Sequence, residues 1–248
     1  MDFYKKHYNP GKIIVAVAGN ISHEHAVEKL RGIFETRKGK TVPRLMTAPS
    51  PSNKTLCRNK DTEQVHLCVG TPGLSLAHGK IYTFQVLNTI LGGGISSRLF
   101  QEIREQRGLV YSVYSYHASY HDTGVFCVYA GLSKQNMNQA LELIIAQIKD
   151  LQRNKVKNEE LQRAKDQLRG NLLLSLENAS TRMSRLGKSE LYLGDVIPAE
   201  EIVARIKKVT AEEIQELARY MLKPENFSLA AIGPWEDNGY FTKILEDM

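Results

Sequence analysis

Seven histidines and three cysteines are the side chains of this 248-residue sequence best suited to metal or nucleophilic chemistry. Their spacing joins none of them into a site. His23-Glu24-His25 falls in an expected helix, where side chains one or two positions apart point away from each other. His117 and His121 share a face of an expected strand but stand about 13 Å apart, too far for one metal ion. His7, His66 and His78 are isolated. Cys57, Cys68 and Cys127 form no Cys-x-x-Cys pair, and their odd number argues against a disulfide framework. Cys68 and Cys127 lie in apolar runs, where cysteine behaves as a small buried hydrophobe, as suits a reducing compartment. Gly92-Gly93-Gly94 lacks the lysine and hydroxyl of a phosphate loop. It either relaxes a turn between two helices or lets a peptide come close to the backbone. No Ser-His-Asp signature is present.

The elements that must carry any site follow from the pattern of apolar residues. A composition of 42% hydrophobic and 24% charged residues is that of a globular protein long enough to bury a core without staples. The net charge is +6, but Lys and Arg are interleaved with Glu and Asp along Lys155–Arg169 and Arg205–Arg219. That is the pattern of solvated helix faces, so no nucleic-acid partner is expected. No run approaches about 18 apolar residues, and Met1–His7 contains no apolar signal core. No membrane partner and a cytoplasmic location are expected.

Ile13–Ala18 reads as a buried strand, and Ser22 as the cap of a helix with an apolar stripe at Ala26, Leu30, Ile33 and Phe34. Thr36–Lys54 carries Pro43, Pro49 and Pro51 among polar residues, the chemistry of a linker. Val65–Gly70 is an expected strand and Ile81–Leu91 an expected helix. Ser96 or Ser97 is expected to cap a further helix to about Arg107, with Gly108 as its stop. Val110–Tyr120 and Phe126–Ala130 read as a hairpin. Helices are expected at Ser133–Leu151, Asn158–Leu176, Ala199–Ile206 and, after the capping box Thr210–Glu213, up to Met221. Phe227–Ile232 is the last expected strand. Strands separated by hairpins and helix pairs define an α+β fold, a mainly antiparallel sheet with helices packed on one face.

The two ends of the sequence resemble each other. Pro10 and Gly19 bracket one small, apolar run, and Pro224 and Gly233 bracket another, with the same nine-residue spacing. Chance produces such helix–Pro–strand–Gly patterns too. If the pattern is a repeat, a matching first unit would begin roughly 150 residues before Met1.

The long stretch from Asn88 to Ser115, NTILGGGISSRLFQEIREQRGLVYSVYS, resembles the C-terminal half of the pitrilysin-type zinc peptidases, the inverzincins. That family includes insulin-degrading enzyme and mitochondrial processing peptidase, and the likeness is closest to its bacterial processing-peptidase branch. Glu63–Leu67, Glu160–Lys165 and Leu174–Glu177 resemble further parts of that half. Tyr8-Asn9-Pro10 with Ala18-Gly19-Asn20 resembles the end of the preceding half. The resemblance implies three parts. Residues 1–38 would be the remnant of a first, zinc-binding repeat, residues 39–62 a Pro-rich linker, and residues 63–248 a complete second, substrate-binding repeat.

The resemblance also implies a division of labour. In the family, His-x-x-Glu-His and a distant Glu on the first half hold zinc. That motif does not occur in this sequence, so zinc is expected on residues outside this chain and none on the chain itself. From the second half an Arg and a Tyr, seven residues apart, reach the substrate near the scissile bond, and the matching positions are Arg104 and Tyr111. A Tyr hydroxyl can donate to a tetrahedral oxyanion and an Arg to a neighbouring carbonyl. The plain alternative is a surface arginine and a packed hairpin tyrosine. The implied function is that of the non-zinc-binding half of a zinc-dependent endopeptidase acting in a closed chamber. The alternative is a non-catalytic relative that binds peptides or scaffolds a complex. Expected partners are a peptide or unfolded polypeptide, the N-terminal zinc-binding half, and a second copy in a homodimer.

Overall fold

Val65, Leu67 and Val69 alternate with His66, Cys68 and Gly70, and this alternation decides which way the sheet faces. In the computed structural model the three branched residues are buried under helices, while His66 is exposed and Cys68 and Gly70 are half-buried on the opposite face. Period-two burial of this kind is what one covered face and one open face produce. The structure describes residues 1–35, 49–50, 53–236 and 239–247.

In chain order the elements are α1 (Asp2–His7), α2 (His23–Phe34), β1 (Thr55–Asn59), β2 (Val65–Pro72) and α3 (Ile81–Gly92). A π-helical turn at Phe100–Glu105 leads into β3 (Val110–Ser119) and β4 (Gly124–Leu132). Then follow α4 (Met137–Arg153), α5 (Asn158–Ser175), α6 (Ala179–Leu193), α7 (Ala199–Lys208), α8 (Ala211–Met221), β5 (Ser228–Gly233) and α9 (Tyr240–Glu246).

The chain divides into two compact units, one of Ala48–Arg169 with Ile202–Met248 and one of Met1–Thr47 with Gly170–Glu201. The first contains the sheet, in the order β1-β5-β2-β4-β3. Every pairing is antiparallel except β1 with β5. Phe84, Leu87 and Leu91 of α3, Ile144 and Ile148 of α4 and Ile214 and Leu217 of α8 are buried with Phe126, Val128 and Leu229 of the sheet. The α+β fold class expected from the sequence is the one observed. So is the capping box of α8: Thr210 Oγ1 accepts from Glu213 N at 3.2 Å, and Glu213 Oε2 accepts from Thr210 N at 3.0 Å.

The second unit is built differently. Among its described residues no apolar side chain is buried; α2 and α6 contain no buried residue at all. A cavity of about 430 Å³ is lined by Val15, Val17, Val27, Leu30 and Leu186 among others. Here the structure corrects the sequence reading. Ile13–Ala18 forms no strand, and Ile14, Val15 and Val17 remain substantially exposed. The β-branched composition is present, but a strand requires a hydrogen-bonding neighbour, and this unit offers helices. A second correction concerns residues 39–62: Thr55–Asn59, within the stretch read as linker, is edge strand β1. Most of the proline-bearing stretch lies outside the described residues.

The likeness between the two ends of the chain extends to local geometry. Pro10 opens a three-residue 3₁₀ turn, as does Pro224, and each follows a helix ending three residues earlier, at His7 and Met221. Gly19 and Gly233 close the two apolar runs with φ of +156° and +149°, a backbone that L side chains rarely adopt.

Candidate functional site

The three consecutive glycines are explained by packing. A Cβ on Gly92 would lie 2.2 Å from Ser115 N, one on Gly93 2.5 Å from Thr89 Cα, and one on Gly94 2.8 Å from Gln167 Nε2. The end of α3 therefore rests directly against the backbone of β3. Gln167 of α5 locks the turn by donating to Gly93 O at 2.9 Å. Of the two roles the sequence left open, close contact of a turn is the observed one.

Arg98 fastens the next segment. Its guanidinium donates to both oxygens of Glu160, at 2.7 and 2.8 Å, and to Asp150 Oδ2 at 2.6 Å. A bidentate, largely buried arginine of this kind fixes geometry as well as energy. Ser97 does not cap a helix as expected; its Oγ donates back to Gly94 O at 2.5 Å. The helix itself becomes π-helical over Phe100–Glu105, with Gln106 N bonding to Gln101 O at 3.0 Å. Gly108, at φ +61°, then reverses the chain into β3 as the sequence suggested.

These devices place Arg104 on the wall of a cavity of about 490 Å³, together with Asn88, Gly92–Gly94, Phe100 and Ser112–Ser115. The Arg104 guanidinium lies 5.0 Å from the centroid of the Phe100 ring. It makes no ion pair among the described residues. An arginine held over an aromatic face, with no ion pair to another described residue, suits a ligand carbonyl or carboxylate. Tyr111 is not among the lining residues. It is 59% exposed and adjoins Ser112, which is. The register explains its position: Val110 pairs with Leu132 and Ser112 with Gly131, so Tyr111 is the extra residue of a β-bulge. Bulges re-aim a side chain out of the regular alternation.

The open face of the sheet continues from this cavity. Ser112, Gly131 and His66 form one cross-strand row, Tyr114, Tyr129 and Cys68 the next, and Tyr116, Cys127 and Gly70 a third. The rings of Tyr114 and Tyr129 are 5.0 Å apart. Sequence reasoning missed this tyrosine-rich face; the alternation of aromatics along β3 was its signal. Between the second and third rows the hydrogen bond with Cys127 lowers the Cys68 pKa to about 7, against the opposing effect of burial. The same bond and burial raise that of Cys127, and the Cys127 contact raises Tyr116 to about 12. His117, on the covered face, packs on Phe84 at 4.8 Å, and burial lowers its pKa. No group of three or more His, Cys, Asp or Glu side chains among the described residues is arranged to hold a metal. No helix among them is long and apolar enough to cross a membrane.

The fold and site together define a class: an α+β domain with one helix-covered face and an open, aromatic face beside an arginine that makes no ion pair among the described residues. The chain belongs to the family described as the peptidase M16 inactive domain, whose model matches residues 1–168. It is 42% identical over 230 residues to the uncharacterized zinc protease YmxG of Bacillus subtilis, a match covering 92% of this chain and 55% of YmxG. It is 38% identical over 243 residues to an uncharacterized zinc protease of Streptomyces coelicolor, covering 95% and 53%. The chain thus spans about half the length of the curated relatives it matches. Among solved structures it resembles a peptidase M16 inactive domain from Pseudomonas fluorescens, with a TM-score of 0.80 and 22% identity over 88% of this chain and 53% of that one.

Proposed function

We propose that this chain is the substrate-binding half of a zinc-dependent endopeptidase, completed by an N-terminal half that holds the zinc. The residues described here do not fit a zinc site, whereas the relatives carry zinc protease in their names and are about twice as long. The observation that carries the reading is Arg104, unpaired at the cavity wall and seven residues before the bulged Tyr111. Arg104 would hold a substrate carbonyl and Tyr111 would donate to the oxyanion that forms beside it.

The second unit, with no buried apolar side chain among its described residues, supports the proposed partner. Its segment Ile13–Gly19 matches Phe227–Gly233 in spacing, in the 3₁₀ turn before it and in its closing glycine. That counterpart includes β5, which has a parallel neighbour on one side and an antiparallel one on the other. Ile13–Ala18 is then a central strand whose neighbours belong to the N-terminal half, and residues 1–38 are the end of that first repeat. The setting we propose is reducing and cytoplasmic, as suits Cys68 and Cys127, which lie in apolar strands and not in disulfides.

The role of Arg104 is tested in a protein with both halves. Arg104→Ala is expected to raise KM for a peptide about tenfold or more, the worth of one charge-assisted hydrogen bond. The melting temperature should stay nearly unchanged, because Arg104 is exposed and makes no ion pair among the described residues. An unaltered KM would remove Arg104 from the substrate site.

A further inference from the structure

Asn88 stands in the C-terminal half of α3, where Val86, Leu87, Thr89, Ile90 and Leu91 around it are buried. Asparagine is a poor helix former, because its side chain competes for backbone hydrogen bonds. The Asn88 carboxamide makes no such bond. Its Oδ1 is buried and has no hydrogen-bond partner among the described residues, a cost to stability that an apolar side chain would avoid. Its backbone carbonyl, by contrast, is engaged, accepting from Ser115 Oγ at 3.0 Å.

Only the oxygen end of the carboxamide is closed off. Nδ2 is accessible and donates to no described residue. Asn88 lines the cavity of about 490 Å³ that contains Arg104. Gly92, one helical turn further on, lines it too, so this face of α3 forms part of the wall.

The wall selects the ligand group. Among its described residues Arg104 is the one charged side chain, so no carboxylate of the wall competes for it. A guanidinium has several N–H groups, so a backbone carbonyl held by Arg104 leaves donors over. Arg104 and Nδ2 of Asn88 can only donate, and the group they share must accept. An ammonium would be repelled by Arg104, and an apolar group would leave both donors unmet. A carboxylate brings two acceptor oxygens, and its charge strengthens the bond to a guanidinium. Phe100 and Ile95 supply apolar wall for the methylenes that carry it.

We infer that Asn88 is a specificity-determining residue of this cavity: together with Arg104 it binds the carboxylate of an acidic side chain of the peptide. The inference rests on the peptide-binding reading above and adds to it a substrate class, peptides with Glu or Asp beside the carbonyl that Arg104 holds.

Selectivity and stability, measured together, separate this role from a structural one. Fluorescence anisotropy gives the Kd of the wild-type chain, Asn88→Ala and Arg104→Ala for two dye-labelled, unstructured peptides that differ in one residue, Glu or Ala. Melting temperatures are recorded alongside. Wild type is expected to bind the Glu peptide at least about tenfold more tightly, the scale of one charge-assisted hydrogen bond. Asn88→Ala should lose most of that preference by weakening the Glu peptide alone. It should melt no lower than wild type, because it removes an unsatisfied buried oxygen. A lower melting temperature with the preference intact would make Asn88 structural and overturn the inference. Equal affinity of wild type for the two peptides, with Arg104→Ala weaker for both, would also overturn it and leave the peptide-binding reading in place. Binding that is absent in wild type, or equal in all variants for both peptides, would overturn both. If Asn88→Ala melts well below wild type and loses the preference, Asn88→Leu, which fills the same space without a donor, decides the matter: a Glu preference retained there would sink the inference.

Discussion

Replacing Tyr111 with phenylalanine in a protein that contains both halves is expected to lower kcat by about 10²–10³-fold, the usual cost of one donor to a developing oxyanion. KM should move little, because the hydroxyl would act mainly on charge that appears only in the transition state. The structural grounds are the bulge that frees Tyr111 from the alternation of β3 and its exposure beside the cavity wall. The competing account makes Tyr111 a packed hairpin aromatic and Arg104 a cation near a helix end, worth about 0.3–1 kcal/mol of stability. Under that account Tyr111→Phe would leave kcat alone. Measuring melting temperature and steady-state constants on the same preparations separates the two.

The second large effect concerns assembly. Val15→Asp is expected to weaken association with the N-terminal half by at least about 10²-fold, because a carboxylate buried in a central strand costs several kcal/mol. In the present structure Val15 is 47% exposed and lines an open apolar cavity, so the substitution buries no charge in the isolated chain. The sheet-bearing unit should therefore melt as before. The measurement is co-purification of the two halves with a dissociation constant from titration. Undiminished association would show that Ile13–Ala18 is not the docking strand.

What the sequence revealed follows from how local each cause is. The alternation at Val65–Val69 and the Thr210–Glu213 box are set by neighbours in the chain, and both appear in the structure as the residues imply. The strand expected at Ile13–Ala18 had the right composition but no neighbour to pair with. Edge strand β1 was hidden because Thr55–Asn59 has only one partner, β5, about 170 residues away. Helix α6 was missed because its apolar residues do not lie in a buried stripe; Asn178, which accepts from Thr181 N at 3.1 Å, and Gly194, at φ +67°, bracket it and were its signal. The π-turn at Arg104 and the bulge at Tyr111 each alter a hydrogen-bond register by one residue, which no side-chain pattern encodes. The pair itself was legible only through resemblance, since an arginine and a tyrosine seven residues apart are commonplace without it.

The central claim is that this chain supplies substrate-binding groups while the zinc resides on another half. It is tested most directly by metal analysis and peptide cleavage on the chain alone and on the chain combined with the N-terminal half of YmxG, after chelator treatment and zinc readdition. The expected result is no stoichiometric zinc and no cleavage for the chain alone, with one zinc and chelator-sensitive cleavage in the combined protein. One tightly retained zinc and peptidase activity in the isolated chain would contradict the account. So would a combined protein that binds zinc and never cleaves, which would instead make the chain a scaffold.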